Sequence, residues 1–145
     1  MKAQESYWAR QVEIQAIEVS AWSSLAAGEE SEALRQMNSA AELEDGTEKS
    51  AISPGPLSPA RELLGAMLLE MNEPAKALEQ FEATLHKEPR RFRALYGAAH
   101  AAQLTGNQDT SRRYFRELLQ VCAKADRGGR VELEAARQAL AMSKG

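Results

Sequence analysis

The chain has 145 residues, 43% hydrophobic and 27% charged, which suits one ordinary globular domain. It contains 26 Ala but only 7 Val or Ile, so helix formers dominate and we expect neither an all-β nor an α/β fold. No apolar run approaches the roughly 18 residues of a membrane span, and the first ten residues lack the apolar segment of a secretory signal. The single cysteine, Cys122, cannot form an internal disulfide, so we expect a reducing, cytoplasmic location.

The net charge of −3 conceals an uneven distribution along the chain. Residues 1–85 carry 6 basic and 15 acidic side chains, a net of −9, whereas residues 86–130 carry 10 basic and 4 acidic ones, a net of +6. The two segments are either ordinary solvated helix faces or the poles of a molecule that orients a charged partner.

Apolar residues recur at three- and four-residue steps in seven segments, which predicts seven helices. The first, 5–27, has a wide apolar face that includes Trp8, Val12 and Val19, and Gly28 ends it as a C′ glycine. A Pro- and Gly-rich connection, 45–58, separates the second helix from the third, which we expect to begin with Ser58 as the N-cap and Pro59 as the first helical residue. The other predicted helices span residues 30–44, 59–71, 74–87, 91–105, 108–124 and 131–143.

Three predicted turns share one pattern. Gly28, Asn72 and Gly106 are each followed five residues later by a small residue and nine residues later by a large apolar one. The small residues are Ala33, Ala77 and Ser111, and the large ones are Met37, Phe81 and Phe115. The second and third turns lie 34 residues apart, and the ten extra residues between the first and second fall in the Pro- and Gly-rich connection. A repeating helix–turn–helix unit is therefore predicted.

Residues 58–91 resemble the tetratricopeptide repeat (TPR), because Leu64–Gly65, Ala77, Phe81 and Pro89 match its signature positions. Residues 92–125 and 14–47 resemble it more weakly. The resemblance implies an all-α, right-handed superhelical solenoid of antiparallel helix pairs in a single domain, 1–145. That domain would comprise a helix pair (5–44), the connection (45–58), two repeats (58–91 and 92–125) and a C-terminal capping helix (131–143). An irregular, Ala-rich helical bundle is the alternative.

The sequence offers few residues in patterns typical of catalysis. It has no Cys/His cluster, no Gly-rich phosphate loop and no nucleophile with a plausible histidine partner, so we expect no metal, no cofactor and no enzyme activity. One catalytic alternative remains, a site in which Glu62 and His100 meet across neighbouring first helices.

The resemblance implies a concave groove lined by the first helix of each pair, where peptides dock. The corresponding residues here are Glu18, Trp22, Glu62, Leu69, Arg93, Tyr96, His100 and Gln103. Trp22 and Tyr96 are candidate anchors, because aromatic side chains bury much area for few lost rotamers, with packing inside the fold as the alternative. The resemblance thus implies a non-catalytic adaptor for a protein or peptide partner.

Arginines in the second half of the chain form a candidate basic face. Its residues are Arg90, Arg91, Arg112, Arg113 and Arg116. An alternative function is therefore an accessory or regulatory subunit that binds an acidic partner or nucleic acid through this face. We favour a protein partner, because few aromatic residues are interleaved with the arginines. We expect a monomer or a weak dimer.

Overall fold

The structure is a computed structural model that describes residues 2–47, 56–125 and 130–142, with side chains from residue 6 onward. Within these ranges the chain forms seven α-helices and no strands, which confirms the predicted all-α fold. The helices are α1 (Lys2–Ala26), α2 (Glu30–Asp45), α3 (Ala60–Glu70), α4 (Pro74–Lys87), α5 (Phe92–Leu104), α6 (Gln108–Val121) and α7 (Val131–Met142). Most of the predicted connection 45–58 lies outside the described residues.

The helix ends follow local chemistry. Helix α4 has the predicted bounds, with Pro74 in its first turn and Pro89 directly after its C-cap. The largest differences are at α1, which begins three residues before the predicted start, and at α6, which ends three residues before the predicted end.

The chain folds as two compact units, Met1–Met67 and Leu68–Gly145. In the first unit α1 packs against α2. In the second unit α5 packs against both α4 and α6, and α6 also packs against α7. The proposal that all 145 residues form one repeat domain stays a prediction.

The three predicted turns have the same backbone geometry. Gly28, Asn72 and Gly106 have positive φ angles of 81°, 57° and 77°. In each turn the amide of the following residue donates a hydrogen bond of 2.8–2.9 Å to the carbonyl five residues before it. This is the Schellman ending, in which a residue in the left-handed region satisfies the last carbonyls of a helix. The geometry confirms the role predicted for Gly28.

The repeated small and large residues are core residues. Ala33, Ala77 and Ser111 are at most 2% exposed, and the same holds for Met37, Phe81 and Phe115. The Phe81 ring of α4 lies directly against Gly97 of α5, so a Cβ at Gly97 would come within 2.4 Å of the ring. Glycine at this position is what permits the close approach of the ring to α5.

The start of α3 is held by the end of α2 in the first unit. The Ala60 amide donates a hydrogen bond to the Glu44 carboxylate (2.8 Å), and Arg61 pairs with Asp45. The acceptor for this amide is therefore Glu44 rather than Ser58, the predicted cap. The sequence could not indicate this bond, because Glu44 and Ala60 are joined by the long connection.

The wide apolar face predicted for α1 is only partly buried. Ile14 and Ala21 are in the core, whereas Val12 and Val19 are 65% and 67% exposed, and Trp8 is 45% exposed. One packed helix covers only part of the circumference of its neighbour, so an apolar face wider than that stripe keeps a side in solvent. The inclusion of Val12 and Val19 in the buried face is corrected accordingly.

Candidate functional site

An open depression of about 460 Å³ lies along α1 in the first unit. Two predicted site residues one helical turn apart, Glu18 and Trp22, form its α1 side. Its full lining is Glu18, Val19, Trp22, Ser23, Ala26, Ser58 and Leu63. The depression thus combines an aromatic ring and aliphatic side chains with one carboxylate.

A second, smaller depression of about 250 Å³ adjoins the first. It shares Glu18 and Ser58 with the first depression and adds the amide side chains of Gln11 and Gln15. The other lining residues are Ile14, Glu44, Pro56 and Leu57. We call the two depressions together the α1 surface. Glu18 lies at its centre.

Glu18 is a buried carboxyl group without a compensating partner. It is 9% exposed, and within the described part of the chain no hydrogen-bond donor or basic side chain pairs with it. Burial, and secondarily the nearby Glu44 carboxylate, raise the pKa of Glu18 from 4.5 to about 7. Near neutral pH this group therefore exists in both protonation states.

Trp22 and Glu62 differ in how much surface they present. Trp22 is half-buried and lines the larger depression, so part of its ring faces solvent. Glu62 is only 3% exposed, which makes it a buried side chain rather than one that lines a groove. Glu62 lies on a buried side of α3, where Gly65, one turn later, is also buried.

The second unit places Tyr96 and His100 one turn apart on α5, with ring centroids separated by 5.9 Å. Both are half-buried, and Tyr96 also lies 6.3 Å from the buried ring of Phe115. Tyr96 therefore contributes to packing as well as to the surface. Arg93 and Gln103 are exposed on the same helix, whereas Leu69 of α3 is half-buried.

Some arginines of the predicted basic face are engaged by acidic neighbours. Arg91 pairs with Glu88 at 2.8 Å, and Arg112 lies 3.5 Å from Asp109. These pairs are local, since each joins residues three positions apart.

Arg113 belongs to a cluster that links α6 to α4. Its guanidinium lies 4.6 Å from the centroid of the Tyr114 ring and 3.6 Å from Glu82. The Tyr114 hydroxyl donates a 2.7 Å hydrogen bond to Glu82, and burial together with this bond raises the pKa of Tyr114 to about 12. The cluster therefore joins α6 to α4, and Arg113 is engaged within the fold.

The remaining arginines are differently placed. Arg90, Arg93 and Arg116 are exposed, and the described residues provide no ion pair for them. Arg90 also has a positive φ of 67°. The predicted basic face is thus partly neutralised, with Arg90 and Arg116 as its unengaged charges, and Arg93, predicted for the groove, is a third unengaged arginine.

Three further observations concern a metal site, a membrane span and the catalytic alternative. Among the residues whose positions are described, no group of three or more His, Cys, Asp or Glu side chains could hold a metal ion, and no helix is long and apolar enough to cross a membrane. Glu62 and His100, the two residues of the catalytic alternative, belong to the first and the second unit respectively. Their meeting in one site stays a prediction.

Comparison with protein-family models finds no matching family, and comparison with curated proteins finds no relative. The resemblance to the tetratricopeptide repeat therefore depends on the residues and turns of this chain alone.

Proposed function

We propose that this chain is a non-catalytic protein-interaction module of the TPR type, an adaptor that binds a peptide or protein segment. Its helix pairs would stack as a right-handed solenoid. Three turns with the same Schellman geometry, each followed by buried small and large residues at the same offsets, support this repeat architecture.

The observation that carries the binding function is the α1 surface. In its larger depression a half-buried tryptophan lies next to aliphatic side chains and one carboxylate, which combines a large contact area with a group that fixes the position of a ligand. The larger depression is open and is lined by successive turns of α1 from Glu18 to Ala26, which suits a chain segment better than an enclosed small molecule.

The test compares the proteins captured from a lysate by the wild-type chain, by a Trp22→Ala variant and by a Trp8→Ala variant. Trp8 is a matched control because it is an exposed tryptophan on the same helix that does not line the larger depression. We expect Trp22→Ala to lose specific partners that Trp8→Ala retains. If all three baits recover the same partners, Trp22 is not an anchor. Circular dichroism of each variant verifies that the helices remain folded.

A second candidate function is the recognition of an acidic partner through the unengaged arginines of the second unit. It is favoured by Arg93 and Arg116, which are exposed and have no ion pair among the described residues. Replacement of both by Gln should weaken binding of an acidic peptide, whereas replacement of Arg112, which already pairs with Asp109, should have little effect. Equal effects would contradict this candidate. A duplex oligonucleotide added as competitor separates nucleic acid from protein recognition.

A further inference from the structure

The α1 surface has a feature that an apolar docking groove does not require, a buried carboxylate at its centre. Building on the proposed function, we propose that Glu18 receives a lysine or arginine side chain from the bound segment, while a neighbouring apolar residue of that segment packs on Trp22 and Val19. The partner is therefore a basic–apolar peptide segment rather than an acidic or purely apolar one.

The first step concerns the isolated state of Glu18. A carboxylate that is removed from water without a partner destabilises its ionised form, as the raised pKa of about 7 shows. Among the described residues, every fully buried side-chain oxygen has a hydrogen-bond partner. The Glu18 carboxyl oxygens have no such partner, so they are not fully buried and remain accessible from the depressions. A cation entering that space would supply the missing partner.

The second step concerns the neighbouring charges. The nearby Glu44 carboxylate adds negative potential at Glu18, and it already accepts a hydrogen bond from the Ala60 amide. The first unit, 1–67, carries 5 basic and 11 acidic side chains, a net of −6. A basic segment is attracted by this potential and an acidic one is repelled.

The third step concerns the order of groups along α1. Gln11 and Gln15 lie at one end of the α1 surface, Glu18 lies at the centre, and Trp22 and Ala26 lie at the other end. From Gln11 to Ala26 the helix rises about 22 Å, which an extended peptide spans with about seven residues. The Gln11 end is also lined by Pro56 and Leu57, so the arrangement specifies a basic residue at the centre of the ligand and an apolar residue on the side of Trp22.

The experiment uses an immobilised library of nine-residue peptides in which the central residue is Arg, Lys, citrulline, norleucine or Glu and the other positions are randomised. Citrulline is the neutral counterpart of arginine, so the comparison isolates the charge. The proteins are the wild-type chain, Glu18→Gln and Glu42→Gln. Glu42 is the matched control because it is an exposed glutamate of the same unit that does not line either depression.

We expect the wild-type chain to retain Arg- and Lys-centred peptides about tenfold more strongly than citrulline-centred ones, with apolar residues enriched on one side of the centre. Glu18→Gln should remove this preference, whereas Glu42→Gln should keep it. The proposal is overturned if the citrulline or Glu peptides are retained equally well, if no peptide is retained, or if both variants have the same effect. If the wild-type chain shows no preference for Arg or Lys peptides but its lysate partners still depend on Trp22, the proposal for Glu18 fails and the proposed function stands. Unchanged lysate partners with a preserved Arg preference would reject only the Trp22 anchor.

Discussion

The contact between Phe81 and Gly97 allows a test in which Gly97→Ala lowers the free energy of unfolding in the wild-type chain and raises it when Phe81 is replaced. Alanine is more favourable than glycine in a helix interior by about 1 kcal/mol, so Gly97→Ala would stabilise α5 if no neighbour intervened. A Cβ at this position, however, would lie 2.4, 2.5 and 2.7 Å from three atoms of the Phe81 ring. Normal carbon–carbon contacts are about 3.5–4.0 Å, so the ring would have to retreat by about 1 Å.

The ring has little room for that movement, since Phe81 is 2% exposed. Overpacking of a core typically costs about 1–3 kcal/mol, and three crowded atoms place this case in the upper half of that range. After subtraction of the helix-propensity gain, Gly97→Ala should lower the free energy of unfolding by about 1–2 kcal/mol.

Leucine at position 81 lacks the three ring atoms that approach Gly97. In a Phe81→Leu background the added methyl group should therefore enter vacated space, and Gly97→Ala should then raise the free energy of unfolding by about 1 kcal/mol. The coupling between the two positions would be about 2–3 kcal/mol, at the upper end for residues in contact.

The assay is urea denaturation followed by circular dichroism for the wild-type chain, both single variants and the double variant. Glu79, exposed in the interior of α4, provides the propensity control, because the difference between Glu79→Ala and Glu79→Gly measures the alanine gain without crowding. If Gly97→Ala alone stabilises the chain by the same amount as that control difference, the crowding argument is refuted.

Three further predictions concern other positions. The pKa of Glu18 is about 7 in the folded chain against 4.5 ordinarily, so the folded state binds the proton more tightly than the unfolded state. The stability of the wild-type chain therefore falls as pH rises from about 4.5 through 7. In thermal unfolding, Glu18→Gln should be more stable than the wild type by up to about 3 kcal/mol at pH 8 and nearly equal to it at pH 4. Gly106→Ala should destabilise the α5–α6 turn by about 1 kcal/mol in urea denaturation, because φ is 77° there although nothing lies within 4 Å of an added Cβ; an unchanged midpoint would contradict the argument. Tyr114→Phe should lower the free energy of unfolding by about 1 kcal/mol through loss of the hydrogen bond to Glu82, and it should lose little further stability in a Glu82→Ala background, where the acceptor is absent, if that bond is the cause.

The fold was predictable where it depends on local patterns. Gly28 and Gly106 end helices because a left-handed residue is needed there. Ala33 and Ser111 each lie at the end of the first turn of the helix that follows, so their distance from the glycine is fixed by the short turn. These are properties of neighbouring residues, so the seven helices and the repeated core positions could be read from the sequence.

The candidate site was predictable only in part, because it depends on residues distant in the chain. Helical spacing places Glu18 and Trp22 one turn apart, and the resemblance to a repeat family put that turn in a binding face. The contributions of Ser58 and Leu63 were missed, because they follow a connection whose path no periodicity reveals. Nor does the sequence indicate the neighbour of Glu18, since Glu44 is one of many glutamates in an acidic segment.

Contacts with residues distant in the chain also explain why Glu18, but not Glu62, is a candidate ligand-binding group. Both are acidic residues on helices predicted to line a groove, and both are buried. Glu62 has an interaction partner in the fold, whereas Glu18 has no attractive partner among the described residues and lines two depressions. Glu62 is 3% exposed and lines neither depression, so a ligand in them does not reach it, whereas the desolvated Glu18 carboxyl group, repelled by Glu44, gains an attractive partner when a cation arrives. Burial without an attractive partner, together with a position in both depressions, therefore distinguishes Glu18 from Glu62 as the carboxyl group that can select a basic partner.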